Sequence, residues 1–319
     1  MDAPAESYQS GFHRRWGHLR RARVRALAWL LDAPVLLDAD DPQWAGRIAS
    51  IGAIAPETVA WLNRLDHDPA PLDAALGDKI HTRLGLYAEK LMAFYYAQHG
   101  RLVAHGLQVR ANRNDTVGEF DFLLEDGADG LEHIEFATKF YLLDGEGGQQ
   151  FDALVGPNLA DSLGLKMRKV FERQLTLGTH PAAQPLLPRP VSKARALVKG
   201  WLFYPSGSWP HMQGIAAGHC RGFWCALDEI DGLAGKAFVI LPRLQWLAPY
   251  RASTAATMSG AQLHAELEAQ FETSSTPVLV ASVRVAPGAI EEIERGFIVP
   301  NDWRERAAAR RMVKAVGGR

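Results

Sequence analysis

Asp121 and Glu135 are the residues around which chemistry can be built. They stand in two adjacent segments, GEFDFLLE and LEHIEFATKFYLL, whose composition reads as β-strand. Strand side chains alternate between faces. In the first segment Glu119, Asp121 and Leu123 share one face, and Phe120, Phe122 and Leu124 share the other. In the second, His133, Glu135, Ala137, Lys139 and Tyr141 oppose Ile134, Phe136, Thr138, Phe140 and Leu142. A hairpin centred on Ala128 sets Leu123 against His133, Asp121 against Glu135, and Glu119 against Ala137. Directly opposed Cβ atoms lie roughly 4.5–5.5 Å apart, and two carboxylates at that distance repel. A hard divalent cation, Mg²⁺ or Mn²⁺, resolves the repulsion by taking carboxylate oxygens as ligands. Lys139, two pleats along, adds a positive charge that could serve a phosphate or polarise a water. The plain alternative is the wet face of an antiparallel sheet, where charges are ordinary. A slip of one residue would also dissolve the pairing.

Other residues carry weaker signals. Gln174 lies on an apolar helical stripe and reads first as a core-edge glutamine bonding backbone. Its alternative is to face the acids or a phosphate. His133 reads as a satisfied or exposed histidine. His211, His219, Cys220 and Cys225 fit no common zinc spacing. Trp201, Trp209, Trp224 and Trp246 read as packing residues, with base stacking as the alternative. There is no P-loop, dinucleotide fingerprint or Gly-x-Ser-x-Gly elbow, so no nucleotide cofactor is expected.

These residues need elements to hold them. Val24, Leu27 and Leu31 predict a helix over 19–33, ended by Pro34. Trp44 to Leu65 reads as one or two short helices, and Pro69 and Pro71 mark a break. Leu84, Ala88, Leu91 and Tyr95 predict a helix over 82–99, capped by Thr82 and stopped at His99-Gly100. Glu89, about 100° from Ala88 around the axis, falls at the edge of its buried face. Strands follow at Leu107–Ala111, Val117–Glu125 and Leu131–Leu143. A helix opens at Asn158 or Asp161 and runs to about Leu177. A proline-rich linker leads to a strand over Ala196–Tyr204. Beyond it, His219–Leu227, Ala237–Leu241, Pro277–Val285 and Gly296–Val299 read as strands and Ala261–Glu272 as a helix. This last third either extends the first sheet or forms a smaller β-rich lobe.

Composition sets the outer bounds. The chain has 319 residues, 47% of them hydrophobic, enough for a substantial core. Lys plus Arg is 35 and Asp plus Glu is 36, a net charge of −1, which excludes a polycationic tail protein. The charges are segregated. Basic runs lie at Arg14–Arg25, Lys166–Lys199 and Arg304–Arg319, and an acidic stretch lies at Asp115–Glu146. An acidic centre flanked by basic surface suits a metal-dependent enzyme acting on a polyanion. No apolar run approaches the ~20 residues of a membrane span, and no signal peptide is evident. With two cysteines only, a cytoplasmic protein with free thiols is expected.

GLYAEKLMAFYYAQHG, GEFDFLLED and HIEFATKFYL together resemble the PD-(D/E)XK nuclease superfamily. RVRALAWLLDAP, GPNLADSLGLKM and KGWLFYP resemble, more narrowly, a bacterial domain-of-unknown-function family, DUF1853, placed within it. The resemblance implies an α/β restriction-endonuclease-like core, αβββαβ, over residues 79–205. Residues 1–78 would add N-terminal helices, and 206–319 an α+β, β-rich extension. It implies that Asp121 bridges the metal and that Glu135 is a second ligand, with the Phe136 carbonyl a further one. Glu89 orients or indirectly binds the metal, and Lys139 assists catalysis. Two departures stand out. The motif expects lysine at 137, where this chain has Ala137, and Phe120 precedes Asp121 where proline is usual. Lys139 reaching back, or Lys166 from the next helix, would have to supply the cation, with Gln174 and Glu119 in support. Lys169, Arg173, Lys193 and Arg195 are the expected nucleic-acid contacts. The implied function is metal-dependent phosphodiester hydrolysis, with DNA preferred. The alternative is a nuclease fold without catalysis that binds nucleic acid or a protein partner.

Overall fold

The computed structural model describes residues 6–317 except 78–82, 114, 128–129, 146–150, 206–209, 234 and 236, with backbone alone for 313–317. Thr82, Ala128, Trp209 and Arg319 therefore lie outside the described residues. Five helices open the chain: α1 (Tyr8–Trp16), α2 (Ala22–Asp32), α3 (Pro56–His67), α4 (Ala70–Leu76) and α5 (Leu84–Gln98). Strands β1 (Leu102–Asn112), β2 (Asp115–Asp126), β3 (Gly130–Leu143) and the short β4 (Leu154–Val155) follow, then α6 (Leu163–Lys169) and β5 (Val191–Pro205). The remainder comprises β6 (Cys220–Ala226), β7 (Phe238–Ile240), β8 (Arg251–Ala252), α7 (Gly260–Thr273), β9 (Val278–Ala286), β10 (Ala289–Val299) and α8 (Trp303–Gly317).

All ten strands form one mixed sheet in the order β1-β2-β3-β5-β6-β10-β9-β7, with β4 on β3 and β8 on β10. The first three strands are antiparallel; β3, β5, β6 and β10 run parallel in succession. Residues 206–319 thus continue the sheet instead of forming a lobe. Alternation on the central strands feeds two cores. Trp201 and Phe203 of β5 pack with α1, α2 and α5 on one face. Leu202 and Tyr204 face the other way, with Met167 of α6 and Trp44. Farther along that second face, Leu263 and Leu267 of α7 cover Phe223, Val280 and Ile298. Helices on both sides leave no wet face under β3. Consequently His133 and Glu135 are buried, where alternation alone suggested a solvated row.

Several expected boundaries shift for local reasons. Helix α4 forms where a proline break was read, because Pro69 is its N-cap and Pro71 lies in its first turn, where a missing N–H costs nothing. The long helix expected up to Leu177 begins after Ser162, whose hydroxyl caps Leu165 N–H. It then passes into a π-helical turn, Val170–Gln174, and a separate 3₁₀ turn at Leu177–Thr179. Phe120 does not share a core with Phe122 and Leu124. It packs with Leu123, Val109 and Leu131 in a small separate cluster, while Phe122 and Leu124 join the main core. On the partner strand, between His105 and Leu107 that pair with Phe122 and Phe120, lies Gly106, whose φ of 64° favours glycine. Between β3 and β5 the approach is close: a Cβ on Gly200 would lie 1.8 Å from the Lys139 carbonyl oxygen.

Many basic residues are spent within the fold. Arg14 pairs with Glu6, Arg15 with Asp32, Arg23 with Asp73, Arg304 with Glu229 and Arg311 with Asp144. Arg25 is buried and donates to the carbonyls of Trp16 and Pro249. Arg295 is the most enclosed: it donates to both Glu292 oxygens at 2.7 Å and to the Ala248 carbonyl at 2.7 Å. Its guanidinium stacks 4.2 Å from the Trp201 ring. Replacing it by Met strands a buried carboxylate. We expect Arg295→Met to lower unfolding free energy by about 3–5 kcal/mol in urea titrations; a loss under about 1 kcal/mol contradicts the assignment.

Candidate metal-binding cleft

The cleft opens where β2 and β3 part. Their ladder follows the expected register, Leu123↔His133 and Phe122↔Ile134, and ends at that second pair. Asp121, one residue beyond, does not simply face Glu135. Its Oδ2 accepts a 2.9 Å hydrogen bond from the Phe136 N–H, occupying the place a β2 carbonyl would take in a continued ladder. The result is a cavity of about 210 Å³ whose lining includes Glu89, Asp121, Glu135, Ala137, Lys139, Lys166 and Gln174. Residues from one helix face, two strands and a second helix therefore meet at the gap in the sheet.

At its edge, carboxylate oxygens of Glu89 and Asp121, which line it, and of Glu119 all lie within 4.8 Å of one another, an arrangement able to hold a cation. Glu119, expected only in support, is thus one of the three converging acids. Glu135 lies deeper, with its side chain 2% exposed. Its Oε1 is 3.5 Å from Lys166 Nζ, and its Oε2 is buried with no hydrogen-bond partner among the described residues. Lys166 Nζ also donates to Gln174 Oε1 at 3.2 Å. Residues eight apart in a regular α-helix are about 80° apart around the axis, and the wider π turn at Val170–Gln174 changes that phase. Gln174 therefore faces the acids through Lys166, instead of bonding backbone.

The lysines divide the space. Lys166, reaching over Ala137, is the cation beside Glu135. Lys139 lines the same cavity, but its Nζ turns 3.6 Å from Asp161 Oδ2. Asp161 also accepts from the Tyr141 hydroxyl at 2.9 Å. His105 was not anticipated. Its Nε2 lies 2.8 Å from Glu89 Oε1, fixing the helix carboxylate from β1. No local spacing links positions 89 and 105, so only the packing of α5 on β1 could reveal it. His133 is fully buried with neither ring nitrogen bonded among the described residues, and its Nε2 is 4.0 Å from Glu135 Oε2.

Crowding and burial set the protonation. Burial pushes the Glu135 carboxyl up to about 8, and the neighbouring Asp121 charge adds to it. Asp121 is raised to about 6 by burial, against the opposing pull of the Phe136 N–H. Burial also holds His133 down to about 4 and lowers Lys139, which Asp161 partly counters. Two buried carboxyls held above their ordinary range in one cleft are what a bound cation would relieve.

The expected nucleic-acid contacts fall elsewhere. Lys193 pairs with Asp126 at 2.9 Å, and Arg195 pairs with Glu132, both toward the turn of the β2–β3 hairpin. Lys169 and Arg173 are exposed on α6 and its π turn. His219 donates or accepts with Tyr204 Oη at 2.7 Å, and both cysteines are buried and free. Trp201 and Trp224 are core residues, and Trp246 is half-buried.

The fold and cleft define a mixed α/β protein with a large helix-flanked sheet and a carboxylate cluster at a split between strands. Over residues 25–299 the chain matches DUF1853, a domain of unknown function, and it belongs to that family. No curated protein and no solved structure matches it. Among the described residues no helix is long and apolar enough to cross a membrane.

The raised Glu135 predicts a pH dependence. Its ordinary value is 4.5 and its folded value about 8. Between these the native state keeps a proton that the unfolded chain gives up, so this group's contribution falls as pH rises through the window. Glu135→Gln, which cannot ionise, should gain stability relative to the parent from pH ~5 to ~8. Urea midpoints across that range check it; a constant difference contradicts it.

Proposed function

We propose that this chain is a metal-dependent nuclease hydrolysing phosphodiester bonds in nucleic acid, with DNA the expected substrate and Mg²⁺ or Mn²⁺ the cofactor. The observation that carries the reading is the convergence of Glu89, Glu119 and Asp121 oxygens within 4.8 Å. Glu89 and Asp121 share a cleft with Glu135, whose Oε2 is unpartnered among the described residues, and with Lys166. That donor set is all oxygen, as a hard cation requires. The order α5, three antiparallel strands, α6 and a parallel β5 supports the likeness to the PD-(D/E)XK core.

Asp121 and Glu119 would hold the ion with Glu89, which His105 keeps oriented. Glu135 would complete the charge, and its buried oxygen would gain a partner. A bound divalent cation supplies charge neutralisation at a phosphoryl oxygen and a more acidic water. Lys166, held between Glu135 and Gln174, is placed to orient that water or meet the phosphate. It takes the part the resemblance assigned to position 137, and Lys139 is turned away to Asp161. Ala137 favours a second reading, a module that binds nucleic acid without cutting it.

Purified protein with Mn²⁺ and mixed DNA and RNA tests the proposal. Asp121→Ala should lower cleavage by about 100-fold or more and weaken Mn²⁺ binding in calorimetry. Lys166→Met should cost about 100-fold in cleavage rate, and Lys139→Met much less. A parent protein that cleaves nothing, with Mn²⁺ binding unchanged by Asp121→Ala, overturns the nuclease reading. Salt-dependent strand affinity that persists in EDTA and survives Glu135→Ala, in a chain that does not cut, supports the binding module.

A further inference from the structure

A second, larger cavity of about 240 Å³ adjoins the acidic cleft and shares Gly85, Thr138 and Lys139 with it. Its chemistry is opposite in sign. Arg83 and Arg243 line it, and neither has a carboxylate partner among the described residues. Its acid, Asp161, is already answered by Lys139 at 3.6 Å and by the Tyr141 hydroxyl at 2.9 Å. The cavity therefore carries an excess of two positive charges beside an acidic cluster. It also receives the start of α5, whose N-cap Arg83 makes no side-chain capping bond, so the positive end of the helix dipole faces it.

Part of the lining is aromatic: Phe140, Tyr141 and Trp246. Arg243 lies 5.2 Å from the Trp246 ring centroid, and Trp246 is braced against Phe140 and Phe297. Its backbone is held by Arg295, which donates to the Trp246 carbonyl. A guanidinium layered on an indole offers a stacking plane for a nucleobase. Lys139 lines both cavities, and Arg83 lines the larger one next to the shared Gly85, so a phosphate attached to that base has two cations to meet.

We propose that this cavity binds one unpaired nucleotide of the substrate strand next to the phosphate held at the acidic cleft. The base stacks on Arg243 and Trp246, and its phosphate meets Arg83 and Lys139. The proposal rests on the reading of the acidic cleft as a phosphodiester site. It also gives residues 206–319 a function: Arg243 and Trp246 come from that part of the chain and form the base platform. A base stacked inside the cavity has left the stack of a duplex, so the strand is single or locally opened there.

The test measures a short fluorescein-labelled single strand binding to the full chain in EDTA. Thymidine 5′-monophosphate and inorganic phosphate serve as competitors. Mn²⁺ binding is measured separately on the same preparations. Arg243→Glu and Arg83→Glu are surface changes; each should weaken strand binding by about tenfold and not weaken Mn²⁺ binding. Trp246→Phe should retain most of the affinity, and thymidine monophosphate should compete better than inorganic phosphate. Strand affinity unchanged in the Arg83→Glu/Arg243→Glu double variant overturns the pocket even if the protein cuts DNA. Equal competition by inorganic phosphate removes the base from the site, and a free nucleotide binding as tightly as the strand removes the strand. Strand binding that fails in the arginine variants of a protein that binds no Mn²⁺ upholds the pocket and overturns the metal-dependent nuclease reading instead.

Discussion

The hydrogen bond from the Phe136 N–H to Asp121 Oδ2 is the contact on which the cleft depends. A backbone donor leaving a sheet must find a new acceptor, because an orphaned buried N–H is expensive. Here the acceptor is a side chain of the departing strand. One carboxylate closes the ladder, wedges the two strands apart, and faces the other acids. The gap in the sheet and the acidic site are the same event.

The surrounding architecture makes that gap affordable. Strand β3 is paired along almost its whole length with β5, a register that runs from Leu131 to Leu142. It does not need β2 beyond Ile134 to stay in place. Gly200, opposite Lys139, allows β5 to come close enough that a Cβ would collide with the carbonyl. Helix α5 then lays Glu89 over the opening from one side, with His105 pinning it. From the other side α6 and its π turn bring Lys166 and Gln174. The second half of the chain extends the sheet past β5, and Arg295 ties the Trp246 segment to it.

Electrostatics follow from this geometry. Burial is the main reason that Glu135 and Asp121 resist deprotonation, and for Glu135 the neighbouring Asp121 charge adds to it. Most surface arginines and lysines of the basic runs are occupied by acids of the same chain. Arg83 and Arg243 are drawn into no ion pair among the described residues, and their place in the cavity beside the acidic cleft gives them their interest.

Alternation and spacing along the chain determined the strands that carry Asp121 and Glu135, their register, and the helix that carries Glu89. Those are local signals, since a strand repeats every two residues and a helix every 3.6. The family-like segments similarly lie within continuous stretches. Only the tertiary structure decided that Lys166 and not Lys139 stands beside Glu135, because a lysine's reach depends on where α6 packs over β3. It alone brought Glu89 of α5 to Glu119 and Asp121, buried His133, tied Glu89 to His105 and placed Trp246 beside the cleft. Each of these depends on contacts between residues far apart in sequence, and no local periodicity records them.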